Sequence, residues 1–282
     1  CFTIIIIIIT MWEAPPIAKL QEALASPNHP IGMRMRSAYF LRQEYENAKK
    51  NGSLKDEGVI ETVLATLSQG LLLKDHGALM RHEFAYVMGQ LRDERCCDTL
   101  EQVLQNGCDD TMVRHEAAEA LGAIGAERSL KALEKTTKME NIPVELVETC
   151  SLAIEFMKWK LNGGKDDDIE APPACACMIS PYSSIDPAPP HPAHQDVSTS
   201  DLGDLLSNKD EPLFARYRAM FSLRNRGGED AVRQLCRALT EDKSSALLRH
   251  EVAYVLGQMQ HPCSLEALEE SLRRGGGEEK GK

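Results

Sequence analysis

One stretch of eleven residues occurs three times in this chain and limits the folds that the sequence can adopt. The copies are Met80–Gln90 (MRHEFAYVMGQ), Val113–Ala123 (VRHEAAEALGA) and Leu248–Gln258 (LRHEVAYVLGQ). Each copy places Arg-His-Glu after one apolar residue, and His82 and His115 are 33 residues apart. Such a period is typical of helical solenoids, in which each helix pair buries its apolar face against neighbouring pairs.

Apolar residues recur at helical spacing along most of the chain, and aromatic residues make up only 5% of it. The predicted helices of the first half are Trp12–Ser26, Met33–Ala48, Glu57–Leu67, Ala78–Leu91, Cys97–Gln105, Met112–Ile124, Leu130–Thr136 and Val144–Leu161. Those of the second half are Ala215–Arg224, Ala231–Leu239, Ala246–Met259 and Leu265–Leu272. No segment requires a strand, so the predicted fold class is all-α, a helical-repeat solenoid.

Internal sequence similarity indicates how the chain is organised, because Ala215–Arg224 resembles Met33–Arg42. We therefore expect two pseudo-symmetric halves, residues 11–161 and residues 200–274, with the second half incomplete. Residues 162–199 hold seven prolines and are predicted to be an extended or disordered linker. Residues 1–10, with six consecutive isoleucines, are predicted to be a non-native or disordered extension, and residues 275–282 a disordered tail.

Charge and cysteine usage exclude several classes of protein. The net charge of −11 disfavours binding to nucleic acid or to an anionic membrane, and it suits a basic protein partner. The nine cysteines include no C-x-x-C pair, so neither a zinc ribbon nor a thioredoxin-like motif is supported. We expect free thiols in a reducing compartment, hence a cytoplasmic protein, and a monomer.

The repeated His-Glu pairs are the candidate functional residues. In a solenoid, equivalent positions of successive repeats lie on one side, so His82 and Glu83 are expected beside His115 and Glu116. A second half related by pseudo-twofold symmetry is expected to bring its own pair, His250-Glu251, to face them. Imidazole and carboxylate groups together are ligands for non-haem iron, manganese or zinc, and several carboxylates can hold two ions.

Two other interpretations of these pairs were considered. A zinc-protease H-E-x-x-H motif needs a second histidine at the fourth following position, where this chain has Tyr86, Glu119 and Tyr254, so that motif is absent. Alternatively, each pair caps or braces the first turn of its helix. A titratable pair is a costly choice for a partly buried interface, and its threefold repetition favours the metal site.

The residues around the pairs have plainer expected roles. The arginine that precedes each pair, at positions 81, 114 and 249, is expected to be exposed or to form a salt bridge with an acidic neighbour. The tyrosines at positions 86 and 254 are expected in the core. Glycines at positions 89, 122 and 257 are expected to permit close packing of helices.

The repeats R-H-E-x-A-x-x-x-G resemble HEAT-like repeats. Two of them before and one after the segment Pro181–Pro190, together with Arg216–Asn225 and Arg249–Gln258, resemble the deoxyhypusine hydroxylase family. The resemblance covers about Met33 to Leu272. A bilin lyase of the helical-repeat type and a metal-free scaffold for a basic partner are the alternatives.

The resemblance implies an iron-dependent monooxygenase, an oxidoreductase of hypusine biosynthesis. Members of that family use O2 at a di-iron centre to hydroxylate the deoxyhypusine side chain of translation initiation factor 5A. Carried over by position, the implied metal ligands are His82, Glu83, His115, Glu116, His250 and Glu251. Glu83 and Glu251 are also the candidate catalytic residues.

The family has four His-Glu pairs, and this sequence contains three. The 33-residue period places a fourth pair at position 283, one residue beyond Lys282, so we expect a chain truncated before that pair. From the ligand count we further expect that the chain binds one Fe(2+) ion better than two, with a compromised second site and doubtful activity.

Overall fold

The fold is described from a computed structural model, which covers residues 15–164, 182 and 184–275. The predicted extension 1–10, residues 165–181 and 183 of the predicted linker, and positions 276–282 of the predicted tail lie outside the described residues. Every regular element longer than a single turn in the described part is an α-helix, and no strand occurs there. The all-α prediction is confirmed.

The chain divides into two compact units, Cys1–Ala132 and Leu133–Lys282. The helices of the first unit are α1 (Ile17–Ala25), α2 (Ile31–Asn51), α3 (Leu54–Leu72), α4 (Ala78–Leu91), α5 (Cys97–Gln105) and α6 (Thr111–Ile124), and α7 (Leu130–Thr136) crosses the division. The second unit continues with α8 (Val144–Leu161), α9 (Thr199–Ser207), α10 (Leu213–Arg226), α11 (Gly228–Glu241), α12 (Ala246–Met259) and α13 (Leu265–Gly275).

Several helix boundaries agree with the sequence prediction to the residue, namely those of α4, α5, α7, α8 and α12. The start of α3 differs, because a capping box begins this helix earlier than predicted. The side chain of Ser53 accepts a hydrogen bond from the backbone N–H of Asp56, and the backbone N–H of Ser53 donates to the Asp56 carboxylate at 2.9 Å. Reciprocal bonds of this kind satisfy two N–H groups that a helix start leaves without partners.

The turns that join the helix pairs show the repeat at the level of the backbone. Helix α4 ends at Arg92, which has a left-handed φ of 52°, and a single 3-10 turn, Glu94–Cys96, leads into α5. Helix α12 ends in the same way at Gln260, also with φ of 52°, and the turn Pro262–Ser264 leads into α13. Both units are thus assembled from one kind of helix pair.

In the first unit, the face of α4 opposite to its His-Glu pair forms the core. Helix α4 packs against α2, α3 and α6, and its Met80, Phe84, Val87 and Met88 are fully buried. The approach to α3 is close, because a side-chain carbon at Gly70 would lie 2.6 Å from the Phe84 ring. These contacts fix the rotation of α4 and therefore the direction of its histidine.

The division between the units differs from the predicted boundary at residue 161. Helix α8, assigned to the first half from sequence, packs within the second unit. The Ser245 hydroxyl donates a 2.8 Å hydrogen bond to the Glu148 carboxylate, and Leu152 joins the core that contains Val252. Composition changes at residue 162, whereas the core changes earlier, so the proline-rich segment does not mark the unit boundary.

The described end of the predicted linker is a packed part of the second unit. We call residues 184–198 the strap; apart from the 3-10 turn Pro192–Gln195 it contains neither helix nor strand. Ala188 lies fully buried in the core, and Arg218 of α10 donates to the carbonyls of Pro189 at 2.9 Å and Pro190 at 3.3 Å. Contacts with α10 thus hold this irregular segment against the second unit.

No helix in the described part of the chain is both long enough and apolar enough to cross a membrane. No disulfide links cysteines within the described ranges.

Candidate metal centre

Two neighbouring helices of the first unit present the first two His-Glu pairs. Helix α4 carries His82 and Glu83, and α6 carries His115 and Glu116. The Nε2 atom of His82 lies 2.9 Å from Oε2 of Glu116, so the histidine of one repeat contacts the carboxylate of the next. The imidazole rings of His82 and His115 are 6.3 Å apart between centroids. The predicted side-by-side placement of these two pairs is therefore observed.

A second group of potential ligands lies on α6. His115, Glu116 and Glu119 each offer one ligand atom, and all three atoms lie within 4.8 Å of one another. Nε2 of His115 is 3.8 Å from Oε2 of Glu119, one helical turn further along. Glu116 thus contacts His82 and also belongs to the group on α6. A carboxylate has two oxygen atoms and is able to bind two neighbours.

The carboxylates of this site are poorly hydrated and close together. Burial is the largest effect on Glu83 and raises its pKa, and the negative charge of Glu116 raises it further, while the nearby His82 lowers it. Both raising effects disfavour a second negative charge in this place. A bound cation would offset the repulsion between these two carboxylates.

The spacing of the two helices depends on a missing side chain. A carbon at the Cβ position of Gly89 would lie 2.8 Å from the Cα of Ala120, closer than two carbon atoms can approach. Glycine therefore lets α4 approach α6 closely, as the repeated glycines led us to expect. This approach contributes to the short contact between His82 and Glu116.

Two of the three arginines before the pairs are buried, which corrects the expectation of exposure for them, and Arg249 is partly buried. Arg81 and Arg114 are each 4% exposed. Their Nε atoms donate to the carbonyls of Leu71 at 2.7 Å and Leu104 at 2.9 Å, at the ends of the preceding helices. The other reading, a salt bridge to an acidic neighbour, is confirmed for Arg81, which binds Asp109 through both terminal nitrogens.

The third pair lies on α12 in the second unit. His250 is exposed, whereas Glu251 is 5% exposed. Tyr254 is 38% exposed, so its predicted core position is wrong, and Tyr86 is only partly buried. A Cβ at Gly257 would meet no described atom within 4 Å.

The pairs are not the caps of their helices, which corrects the capping part of the alternative interpretation. The Asp110 carboxylate accepts the capping hydrogen bond of α6 from Met112, and the Ser245 hydroxyl accepts that of α12 from Leu248. Serine and aspartate are the usual residues at such positions. Imidazole nitrogen with carboxylate oxygen fits iron, manganese or zinc.

Comparison with known proteins supports the repeat architecture. The model of HEAT repeats matches residues 54–145 and 199–279. Deoxyhypusine hydroxylase of Danio rerio is 46% identical over 203 residues, which cover 71% of this chain and 61% of that protein. Deoxyhypusine hydroxylase of Homo sapiens is 40% identical over 253 residues, covering 90% of this chain and 73% of that protein.

The solved structure of human deoxyhypusine hydroxylase in complex with glycerol matches with a TM-score of 0.71 and 38% identity. It covers 91% of this chain and 76% of the human chain. The chain belongs to the deoxyhypusine hydroxylase family. The match to the Danio rerio relative spans 61% of that protein's length.

Membership of the deoxyhypusine hydroxylase family confirms the resemblance seen in the sequence, and the HEAT-repeat match confirms the fold class. Membership of this family disfavours the alternative that the chain is a bilin lyase. The ligand roles of the six histidines and glutamates stay a prediction, as does the facing of the third pair toward the first two.

Two residues near the centre were missed by sequence reasoning. Glu119 was considered only as the residue that breaks the zinc-protease motif, although its position one turn after His115 places both on the same helix face. Asp109 binds Arg81, whereas the neighbouring Asp110 caps α6.

Proposed function

We propose that this chain is a deoxyhypusine hydroxylase, an iron-dependent monooxygenase. Its substrates are O2 and the deoxyhypusine side chain of translation initiation factor 5A, and its product is hypusine. The observation that carries the proposal is the 2.9 Å contact between His82 and Glu116, which joins consecutive repeats in a chain of this family.

Six residues are proposed to hold Fe(2+), and they come from the three His-Glu pairs. They are His82, Glu83, His115, Glu116, His250 and Glu251. Glu119 is a further candidate, because its carboxylate shares a ligand group with His115 and Glu116. When bound, iron supplies the O2-dependent oxidation that places a hydroxyl group on a carbon atom of the substrate.

The protein groups have roles of their own in this proposal. A neutral imidazole donates a nitrogen lone pair at His82 Nε2, the atom that faces Glu116. In the metal-free chain, burial raises the pKa of Glu83 above that of an ordinary glutamate. Glu83 is the proposed catalytic residue of the first unit, and Glu251, which is 5% exposed, is its counterpart in the second.

The substrate chemistry agrees with the charge of the chain. Deoxyhypusine carries amines, which are positive at neutral pH, and the net charge of this chain is −11. Carboxylates attract such a side chain and raise its local concentration. The same charge also favours the second candidate, a metal-free helical-repeat scaffold that binds a basic protein. The two differ in their metal content.

Metal analysis together with turnover tests the proposal. The full chain is loaded with Fe(2+) without O2, freed of excess metal, and exposed to O2 with factor 5A carrying deoxyhypusine. An added reductant supplies the two electrons that each hydroxylation needs to convert the second oxygen atom to water. We expect bound iron and slow hydroxylation, seen as the gain of one oxygen atom by the factor and measured by mass spectrometry. The iron-to-chain ratio also tests the expectation that one ion binds better than two.

The matched control is a histidine outside the site. His29 lies in the turn between α1 and α2, so His29→Ala is expected to keep iron and turnover while His82→Ala loses both. A well-folded chain that binds no iron supports the scaffold and refutes the enzyme. Equal iron content in the two variants refutes the proposed ligands.

A further inference from the structure

The side chains of the Arg81–Asp109 ion pair are at least as buried as those of the candidate metal ligands beside it. Arg81 is 4% exposed and the Asp109 side chain is 5% exposed. Two parallel hydrogen bonds join them, from Nη1 to Oδ1 at 2.6 Å and from Nη2 to Oδ2 at 2.7 Å. The third donor of the guanidinium, Nε, binds the Leu71 carbonyl at 2.7 Å. A planar fork with three partners permits little rotation.

Each end of this ion pair is connected to one side of the candidate metal centre. Arg81 directly precedes His82 on α4. Asp109 accepts a 2.8 Å hydrogen bond from the N–H of Asp110, the residue that caps α6. His115 lies five residues after that cap, about 7.5 Å along the helix.

We infer that Arg81 and Asp109 are positioning residues, which set the register of α4 against α6 and so hold His82 against Glu116. This inference rests on the proposed function, because it assigns the two residues to the metal centre. A slip of α6 by one residue is a shift of about 1.5 Å. Such a shift would carry the 2.9 Å contact beyond hydrogen-bonding distance.

An arginine contact in the second unit shows which part of the role of Arg81 is common to the repeats and which part belongs to the candidate metal centre. In the second unit, Arg216 donates to the Leu206 carbonyl at 2.8 Å and pairs with Asp242, so the arrangement also joins helices that carry no metal ligand next to the arginine. Arg216 is followed by Tyr217, whereas Arg81 is followed by His82. The arginine–aspartate contact thus occurs in more than one repeat. In the first unit it lies next to a proposed metal ligand, and this position gives it a role at the candidate metal centre.

The test measures metal affinity in variants of the full chain, with Co(2+) as a spectroscopic probe. Arg81→Gln, Asp109→Asn and the double variant remove the charged fork while keeping side chains that form hydrogen bonds. The control is Tyr45→Phe, which removes a buried 2.7 Å hydrogen bond to Asp93 at the other end of α4. The unfolding temperature of every variant is measured, so that metal affinities can be compared between variants of equal stability.

We expect the single variants to bind Co(2+) about 10-fold to 100-fold more weakly, as when outer partners of metal ligands are removed. The visible absorption of the bound ion is expected to change as well, since it reports the arrangement of the ligands. Tyr45→Phe is expected to lower the unfolding temperature while affinity and spectrum stay as in the unmodified chain. Because both residues act through one ion pair, the double variant should bind no more weakly than the weaker single variant.

If Arg81→Gln does not fold, Arg81→Lys replaces it, since lysine keeps the charge but loses the fork. We then expect an affinity between that of the unmodified chain and that of Asp109→Asn. Affinities in the Arg81 and Asp109 variants that match Tyr45→Phe at equal stability overturn the inference alone. Absence of Co(2+) and Fe(2+) binding by the unmodified chain overturns the proposed function as well.

Discussion

Helices α4 and α12 share eight of eleven residues in their repeated stretch, yet they lie in different surroundings. Around α4, the following His-Glu helix covers the motif, with Ala120 against Gly89 and Glu116 against His82. Around α12, the described residues leave His250 and Tyr254 exposed. Burial of a His-Glu pair is therefore a property of the neighbouring repeat as much as of its own helix, as expected where stability comes from nearest-neighbour contacts.

The largest expected difference between α4 and α12 concerns iron binding when the histidine on each helix is removed. His82→Ala is expected to lower the affinity of the first unit for Fe(2+) at least about 100-fold, because a ligand lost within a buried group has no replacement. His250→Ala is expected to lower the total iron content less. Iron per chain and hydroxylation rate, measured on both variants, test this order. A larger loss from His250→Ala would mean that exposure does not reflect the strength of the site.

The helices that follow α4 and α12 offer a matched pair of leucines. Leu104 is fully buried, whereas its counterpart Leu272 is 77% exposed. Leu104→Ala is expected to destabilise the protein by about 3 kcal/mol through the cavity it leaves, and Leu272→Ala to change stability by less than about 0.5 kcal/mol. Urea unfolding at equilibrium measures both. Equal losses would show that the face of α13 is covered in solution.

The two glycines give the sharpest matched pair, since the same substitution has opposite expected signs. Gly89→Ala forces α4 away from Ala120 and is expected to cost about 1–3 kcal/mol. Gly257→Ala meets no described atom and is expected to stabilise α12 by up to about 1 kcal/mol through its better helix propensity. Paired urea unfolding curves decide between these signs. A neutral Gly89→Ala would contradict the close packing of α4 and α6.

The smallest expected difference concerns acid. Arg81 lowers the pKa of Asp109, so this carboxyl stabilises the fold fully above its unfolded pKa of about 3.9, and the contribution disappears as the pH falls through the lowered pKa. Arg249 instead donates to the carbonyls of Asp242 and Ser245, which do not titrate. Asp109→Asn should therefore reduce the acid dependence of unfolding by about 1 kcal/mol between pH 4 and pH 2. An unchanged acid dependence in that variant would argue against a lowered pKa.

Local periodicity was sufficient to predict much of the fold. The bounds of α4 and α12 follow from apolar spacing together with the turns that flank them. The contacts that decide the site are of another kind. Arg81 and Asp109 are 28 residues apart, and no helical period connects them, so sequence alone left the arginine either exposed or paired with an unnamed partner.

Tyr254 shows the opposite limit of sequence reasoning. It occupies the same motif position as Tyr86, and the motif predicts one environment for both. The two differ because exposure depends on which helix lies against the motif, and this information is not contained in the motif itself. The pairing of His82 with Glu116 was predictable, because both repeats that take part in it can be recognised in the sequence.

The strap has a consequence for where the second unit can be cut. A fragment that begins at Thr199 would contain helices α9 to α13 whole, and the composition of the sequence would suggest it as a domain. Its Arg224 would lack the Asp186 carboxylate, although the arginine side chain is fully buried. Removing one partner of a buried ion pair costs about 3–5 kcal/mol, enough to unfold many small domains. An independently folding fragment must therefore start before Asp186.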